Sequence, residues 1–256
     1  MAGAADARMS NWFGRWWRGK ESRLEIGGVT HPGLVRDHNE DAFATFPEQA
    51  VAVVADGMGG LSKGEIASAL VIDAVTDAMR DQRTAAEGLL DAHQRLCELR
   101  AASAGERMGS TAVAISVHGQ QARIDWVGDS RAYLWRDGEL RQITRDHSFV
   151  AELLEAGALT AEEAETHPNR NALTRAIGVQ DVATLQVDSL DLALRGGDRL
   201  LLCSDGLSGF LSHQRIADCM RSASNATAMA EELVRQTLSG TDAADNVTAV
   251  CMVLPP

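Results

Sequence analysis

Acidic side chains recur at the ends of apolar runs and at turns: Glu40-Asp41, Asp56-Gly57, Asp129 in Val-Gly-Asp-Ser-Arg, Asp146-His147, Asp205-Gly206 and Asp245-Asn246. One Asp-Gly pair is ordinary turn chemistry. Repetition in one context says more. Val51-Ala52-Val53-Val54-Ala55 runs without a break into Asp56, and Leu200-Leu201-Leu202-Cys203 runs into Ser204-Asp205. A buried strand that ends in a carboxylate puts charge at the rim of a sheet, which is costly unless the charge is paired or binds a metal. If these ends meet in one cleft, their mutual repulsion calls for cations. Ligation by oxygen alone selects Mg²⁺ or Mn²⁺ over zinc. Arg36, five residues before Asp41, adds a guanidinium suited to bidentate phosphate binding; its alternative is an ion pair with Glu40 or Asp41.

The elements that must position these residues follow from periodicity. Alternating or continuous apolar runs predict strands over Leu24–Thr30, Ala42–Phe46 and Val51–Ala55, after which Gly57, Gly59 and Gly60 let the chain turn sharply or pass close to a neighbour. Lys63–Met79 predicts a helix with Ile66, Ala67, Leu70, Val71, Ala74, Val75, Ala78 and Met79 on one stripe, and Thr84–Ala102 predicts a second. Strands follow over Thr111–Val117, Ala122–Val127, Ala132–Trp135 and Glu139–Ile143, the last two flanking an Asp137-Gly138 hairpin turn. Ser148–Ala156 is expected to be helical, and Ala158–Asn171 to be a mobile surface insertion without a core face. Strands Ala183–Leu190 and Arg199–Cys203, helices Gln214–Met220 and Ala226–Leu238, and a strand Val247–Leu254 complete the chain. Strands joined by hairpins and helices arriving in consecutive pairs point to two antiparallel sheets face to face, each covered by a helix pair.

Composition narrows the function. The 256 residues carry a net charge of −12, with 45% apolar residues. Residues 1–23 hold five Arg/Lys against two acids, about +3, so the rest carries about −15. An acidic body argues against nucleic-acid binding and suits a protein that gathers cations. Cys97, Cys203, Cys219 and Cys251 lack metal-type or framework spacing and read as buried thiols in a reducing compartment. No apolar run reaches the roughly 18 residues of a membrane span, and no secretory signal opens the chain, so a cytoplasmic location is expected. In residues 1–23, Trp12, Phe13, Trp16 and Trp17 interleave with Arg15, Arg18 and Lys20. That pattern suits an interfacial anchor or a partner contact; the alternatives are a flexible tail or rings packed on the domain's own surface. The glycines around Gly57–Gly64 do not make a P-loop, and Ser204 lacks a nucleophile-elbow context.

The ordered series Arg36-Asp37-His38-Asn39-Glu40-Asp41, Asp56-Gly57-Met58-Gly59-Gly60, Gly109-Ser110-Thr111, Gly128-Asp129-Ser130-Arg131, Thr144-Arg145-Asp146-His147-Ser148, Leu173-Thr174-Arg175-Ala176-Ile177-Gly178, Ser204-Asp205-Gly206 and Asp245-Asn246-Val247-Thr248 closely resembles the metal-dependent protein phosphatases of type 2C in their bacterial form. The resemblance spans Leu24 to Leu254 and makes residues 24–256 the catalytic domain. It implies an α+β fold, the four-layer α-β-β-α sandwich with two central antiparallel sheets. It implies hydrolysis of phosphoserine and phosphothreonine in proteins by a hydroxide bridging two Mn²⁺ or Mg²⁺ ions. Asp56 would bridge the metals, with the Gly57 carbonyl on the first. Asp205 and Asp245 would complete the second, with Glu40 or Asp41 acting directly or through water. Asp129 with Asp205 would hold a weaker third ion, Arg36 would clamp the substrate phosphate, and Ser148–Asn171 would be a flap beside the site. Phosphorylated proteins and an opposing Ser/Thr kinase are the implied partners, and the chain is expected to be a monomer. The class-different alternative is a catalytically weak regulator that binds phosphoproteins. Met58 stands where some members carry a histidine general acid, leaving metal-bound water or another group to protonate the leaving oxygen, with His38 and His147 as candidate donors whose alternative is a structural role.

Overall fold

In a computed structural model that describes residues 24–59, 63–103, 108–240 and 242–256, two five-stranded antiparallel sheets lie face to face. In chain order the strands are β1 Glu25–His31, β2 Asp41–Phe46, β3 Val51–Gly59, β4 Met108–His118, β5 Gln121–Val127, β6 Arg131–Arg136, β7 Glu139–Gln142, β8 Asp188–Ala193, β9 Arg199–Cys203 and β10 Val247–Val253. The helices are α1 Lys63–Arg80, α2 Ala85–Ala102, α3 Phe149–Glu155, α4 Ala161–Thr166, α5 Asp205–Ser208, α6 His213–Ser222 and α7 Ala226–Gly240. One sheet has the order β1-β10-β9-β6-β7 and the other β2-β3-β4-β5-β8.

Three apolar layers hold the sandwich. Ala52, Val54, Leu200, Leu202 and Val250 lie between the sheets. Val53 and Ala55 face α1 and α2, while Leu201, Cys203 and Cys251 face α6 and α7. Both faces of β3 and β9 are therefore covered, and this is why these runs are apolar without alternation. Thr84 caps α2 with a full capping box to Glu87, worth about 1 kcal/mol. The expected α-β-β-α layering is what the chain forms.

Several expectations need correction. β3 continues through Gly59 and does not end at Ala55. Ile66 leaves the core stripe and is 50% exposed. The segment Ala158–Asn171 contains α4, opened by a Thr160–Glu163 capping box. The strand expected over Ala183–Leu190 starts only at Asp188, opposite Trp126 of β5, because Leu185 is buried beneath α2 instead. The short helix α5 had no signal of its own. Residues 1–23, with Trp12, Phe13, Trp16 and Trp17, and Gly60, whose roles are expected from the sequence alone, fall outside the described residues. No helix among the described residues is long and apolar enough to cross a membrane.

Candidate active site

The site forms where the ends of both sheets meet. Asp41 at the start of β2 stands directly opposite Asp56 of β3, and Thr111 of β4 flanks Asp56 on the other side. The Gly57 N–H donates to the Glu40 carbonyl at 3.0 Å, and the Ser110 hydroxyl donates to the Asp56 carbonyl at 3.0 Å. The second sheet contributes Asp205, at the start of α5 after β9, and Asp245, just before β10.

Glycine lets these ends approach. A Cβ on Gly57 would lie 2.0 Å from the Gly64 carbonyl oxygen, and one on Gly206 would lie 1.8 Å from that of Asn246. Neither glycine has a positive φ. The two Asp-Gly pairs thus mark close backbone contacts and not turns.

A directional hydrogen-bond chain joins the sheets at Asp41. Ser204 and Thr248 each donate a hydroxyl to Asp41 Oδ2 at 2.7 Å. Thr248 in turn lies 2.7 Å from the Thr30 hydroxyl, which accepts from Asn39 Nδ2 at 2.8 Å. Because the Thr248 proton is committed to Asp41, Thr30 is the donor to Thr248. Asn246 performs the same joining for the loop before β2. Its Oδ1 accepts from the Glu40 N–H at 2.8 Å, and its Nδ2 donates to the carbonyls of Pro32 at 3.0 Å and His38 at 2.8 Å.

The carboxyls act on one another. Asp56 is pushed well above the usual carboxylate range by burial and then by the charges of Asp41, Asp205, Asp129 and Asp245. Burial raises Asp41 to about 7, with the Thr248 and Ser204 hydroxyls pulling the other way. Asp129 is also raised to about 7, by burial and then by Asp205 and Asp146. Asp205 is raised by burial and then by Asp245. Burial and mutual charge thus act together on Asp41, Asp56, Asp129 and Asp205, with Asp245 among the charges they feel. Among the described residues, no group of three or more acidic, histidine or cysteine side chains is already gathered to hold an ion. The donor set is nonetheless oxygen throughout, and its mutual repulsion is what a hard divalent cation relieves, so these residues fit Mn²⁺ or Mg²⁺.

Arg36 and Glu40, expected at the phosphate and at the metals, each also make a contact within the chain. Arg36 pairs with neither Glu40 nor Asp41; its Nη2 lies 3.0 Å from Asp245 Oδ2, with both side chains partly exposed. Glu40 turns toward the start of α1, where its Oε1 accepts the Gly64 N–H at 3.2 Å. His147 is buried, accepts the Gly128 N–H on Nδ1 at 3.0 Å and faces Asp188 through Nε2 at 3.2 Å. His38 is exposed and lies 3.3 Å from Glu65. Beside Asp129, Arg131 binds both oxygens of Asp146, and Ser130 meets the Thr111 hydroxyl at 2.7 Å. Sequence reasoning gave no role to Asn39, Thr30, Ser204, Asn246 or Thr248, although all but Thr30 lie within its motifs.

Known proteins share this arrangement of sequence. A family profile described as protein phosphatase 2C matches residues 35–241. The chain is 40% identical over 236 residues to the serine/threonine protein phosphatase PstP of Mycobacterium tuberculosis, covering 89% of this chain and 44% of that protein. It thus spans less than half the length of that relative. It is 35% identical over 235 residues to the serine/threonine phosphatase stp of Listeria welshimeri, covering 86% of this chain and 92% of that one. Among solved structures, the catalytic domain of the serine threonine protein phosphatase PstP in complex with two manganese ions matches with a TM-score of 0.81 at 32% identity, covering 91% of this chain and 99% of that one.

Proposed function

The chain belongs to the protein phosphatase 2C family, and from that premise we propose that residues 24–256 hydrolyse phosphoserine and phosphothreonine in proteins with two Mn²⁺ or Mg²⁺ ions. The observation that carries this reading is the convergence of Asp41, Asp129, Asp205 and Asp245 on Asp56, with Arg36 held at its edge by Asp245. Asp56, Asp205, Asp245 and the Gly57 carbonyl would hold the ions, and Asp129 with Asp205 a weaker third. The ions, when bound, supply Lewis acidity that activates water and offsets phosphate charge.

The chain's own residues do the rest. Arg36 offers five N–H donors, so it can bind phosphate oxygens while one donor stays on Asp245. Asp41 is itself locked by Ser204 and Thr248, so it supports the sheet junction and acts on the ions through its charge. Glu40 shapes the loop through Gly64. His147 keeps the Asp129 loop in place through Gly128. The retention of every expected carboxylate favours an enzyme over a phosphoprotein-binding regulator. An opposing Ser/Thr kinase, which would make the phosphoproteins, and a cytoplasmic monomer complete the proposal. The test is phosphate release from a phosphothreonine peptide, which should require Mn²⁺ and stop with EDTA. Metal-independent release would overturn the reading.

A further inference from the structure

Apolar side chains held in water beside a charged cleft are unfavourable unless something covers them. Val35 and Leu34, at 65% and 59%, are the most exposed large apolar side chains among the described residues. They directly precede Arg36. Their backbone is tied down: the Leu34 N–H donates to the Ala243 carbonyl at 2.9 Å, the Gly33 N–H to His31 Nδ1 at 3.0 Å, and Asn246 to the Pro32 carbonyl at 3.0 Å. The turn is thereby fixed to the segment that carries Asp245, the partner of Arg36. On the other side His38 touches Glu65, and the next residue, Ile66, is 50% exposed although its spacing places it on the core stripe.

We propose that Leu34, Val35 and Ile66 form an apolar rim that selects phosphorylated polypeptides with an aliphatic or aromatic side chain next to the phosphorylated residue. This rests on the phosphatase reading above. A phosphate bound at Arg36 brings the neighbouring substrate side chains over this rim, where they bury its apolar surface. Asp37 and Glu65 stand at the same mouth, on a chain of net charge −12, so acidic neighbours in the substrate are repelled. The occupant is therefore an extended, apolar-flanked phosphopeptide segment.

The test uses three phosphothreonine peptides that differ only in Leu, Gly or Glu on both sides of the phosphothreonine, assayed with Mn²⁺. The Leu peptide should exceed the Gly peptide about tenfold in kcat/KM, carried by KM, as expected for partial burial of two aliphatic side chains. The Glu peptide should be poorest. In L34S/V35S the Leu-to-Gly ratio should fall most of the way toward one with the melting temperature retained, and I66S alone should lower it by the smaller remainder. Equal treatment of Leu and Gly peptides by the wild type, or an unchanged ratio in L34S/V35S, overturns the rim. Hydrolysis of p-nitrophenyl phosphate but of none of the peptides would instead overturn the protein-phosphatase reading, and the rim with it.

Discussion

Asp41 and Asp56 are direct cross-strand partners on the β2–β3 ladder, so two carboxyls share one side of the sheet. Like charges so placed are destabilising. Burial raises Asp41 from its ordinary 3.8 to about 7, and Asp129 likewise. A carboxyl whose pKa is higher in the folded state binds more protons there than in the unfolded chain between those two values. Its stability contribution is present below pH 4 and lost as pH rises toward 7. With metal chelated by EDTA, the melting temperature should therefore fall between pH 5 and pH 8, and Mn²⁺ should restore it at pH 8. Thermal melts across that range check it, and a flat profile in EDTA would contradict the mutual repulsion. Asp41→Asn should flatten the slope.

Much of this site is legible in the sequence for a physical reason. A strand covered on both faces needs apolar residues at every position, so Val51–Ala55 and Leu200–Cys203 stand out, and a carboxylate at their ends stands out against them. Asn246 does not, because its role consists of contacts 206 to 214 positions away. The Arg36–Asp245 pair spans 209 positions, while Glu40 and Asp41, the alternative partners visible in the sequence, lie only four and five positions away. Ile66 has core spacing, yet Gly64, Ala67 and Ser68 take the buried side of the first turns of α1 and leave Ile66 exposed. α4 has a clear Thr160-x-x-Glu163 signal, but only Ala164 of its residues is buried, so no apolar stripe announces it.

Arg36→Ala should leave stability nearly unchanged. The Arg36–Asp245 pair has side chains 51% and 36% exposed, and exposed ion pairs contribute about 0–1 kcal/mol. Loss of a phosphate contact made equally in ground and transition states raises KM alone, here by about tenfold. Steady-state kinetics on a phosphothreonine peptide separate the two constants. A lower kcat at unchanged KM would place the Arg36 contact in the transition state only.

His147→Ala should cost stability without removing chemistry. Nδ1 accepts from Gly128, so the ring proton sits on Nε2, facing Asp188. The ring stacks on Trp126 at 6.1 Å, and burial lowers its pKa, keeping it neutral. Loss of these bonds is worth about 2–3 kcal/mol. A general acid contributes about 10²–10⁴-fold to rate, so the kcat of the folded variant decides. A fall of that size would make His147 the donor; a change within about threefold leaves it a positioning residue. His38→Gln, at an exposed imidazole beside Glu65, is the matched comparison.

Gly57→Ala should be among the most damaging single-methyl changes. The new Cβ would meet the Gly64 carbonyl oxygen at 2.0 Å and that of Glu40 at 2.7 Å. Both are backbone atoms, so a strand or the start of α1 must move. Overpacking of this kind costs about 1–3 kcal/mol or more. The shift also displaces the Gly57 carbonyl and the Asp56 backbone together, so Mn²⁺ affinity should fall with the melting temperature. Calorimetry with Mn²⁺ on the folded variant measures the second effect, and an unchanged affinity would show that the backbone at Gly57 does not shape the metal site.

Asp56→Asn separates folding from function most sharply. In the wild type, Asp56 bears the repulsion of Asp41, Asp205, Asp129 and Asp245. The amide removes that repulsion, keeps the volume and still pairs with β2 and β4. In EDTA the variant should melt at or above the wild-type temperature. Turnover should nevertheless fall about a thousandfold or more, because the residue central to charge neutralisation is gone, and isothermal titration should show Mn²⁺ binding lost or strongly weakened. A variant that melts higher yet binds Mn²⁺ as the wild type does would remove Asp56 from the metal site while leaving its place in the buried acidic cluster intact. A variant that melts lower in EDTA would mean that Asp56 makes stabilising bonds which outweigh the repulsion of its four neighbours.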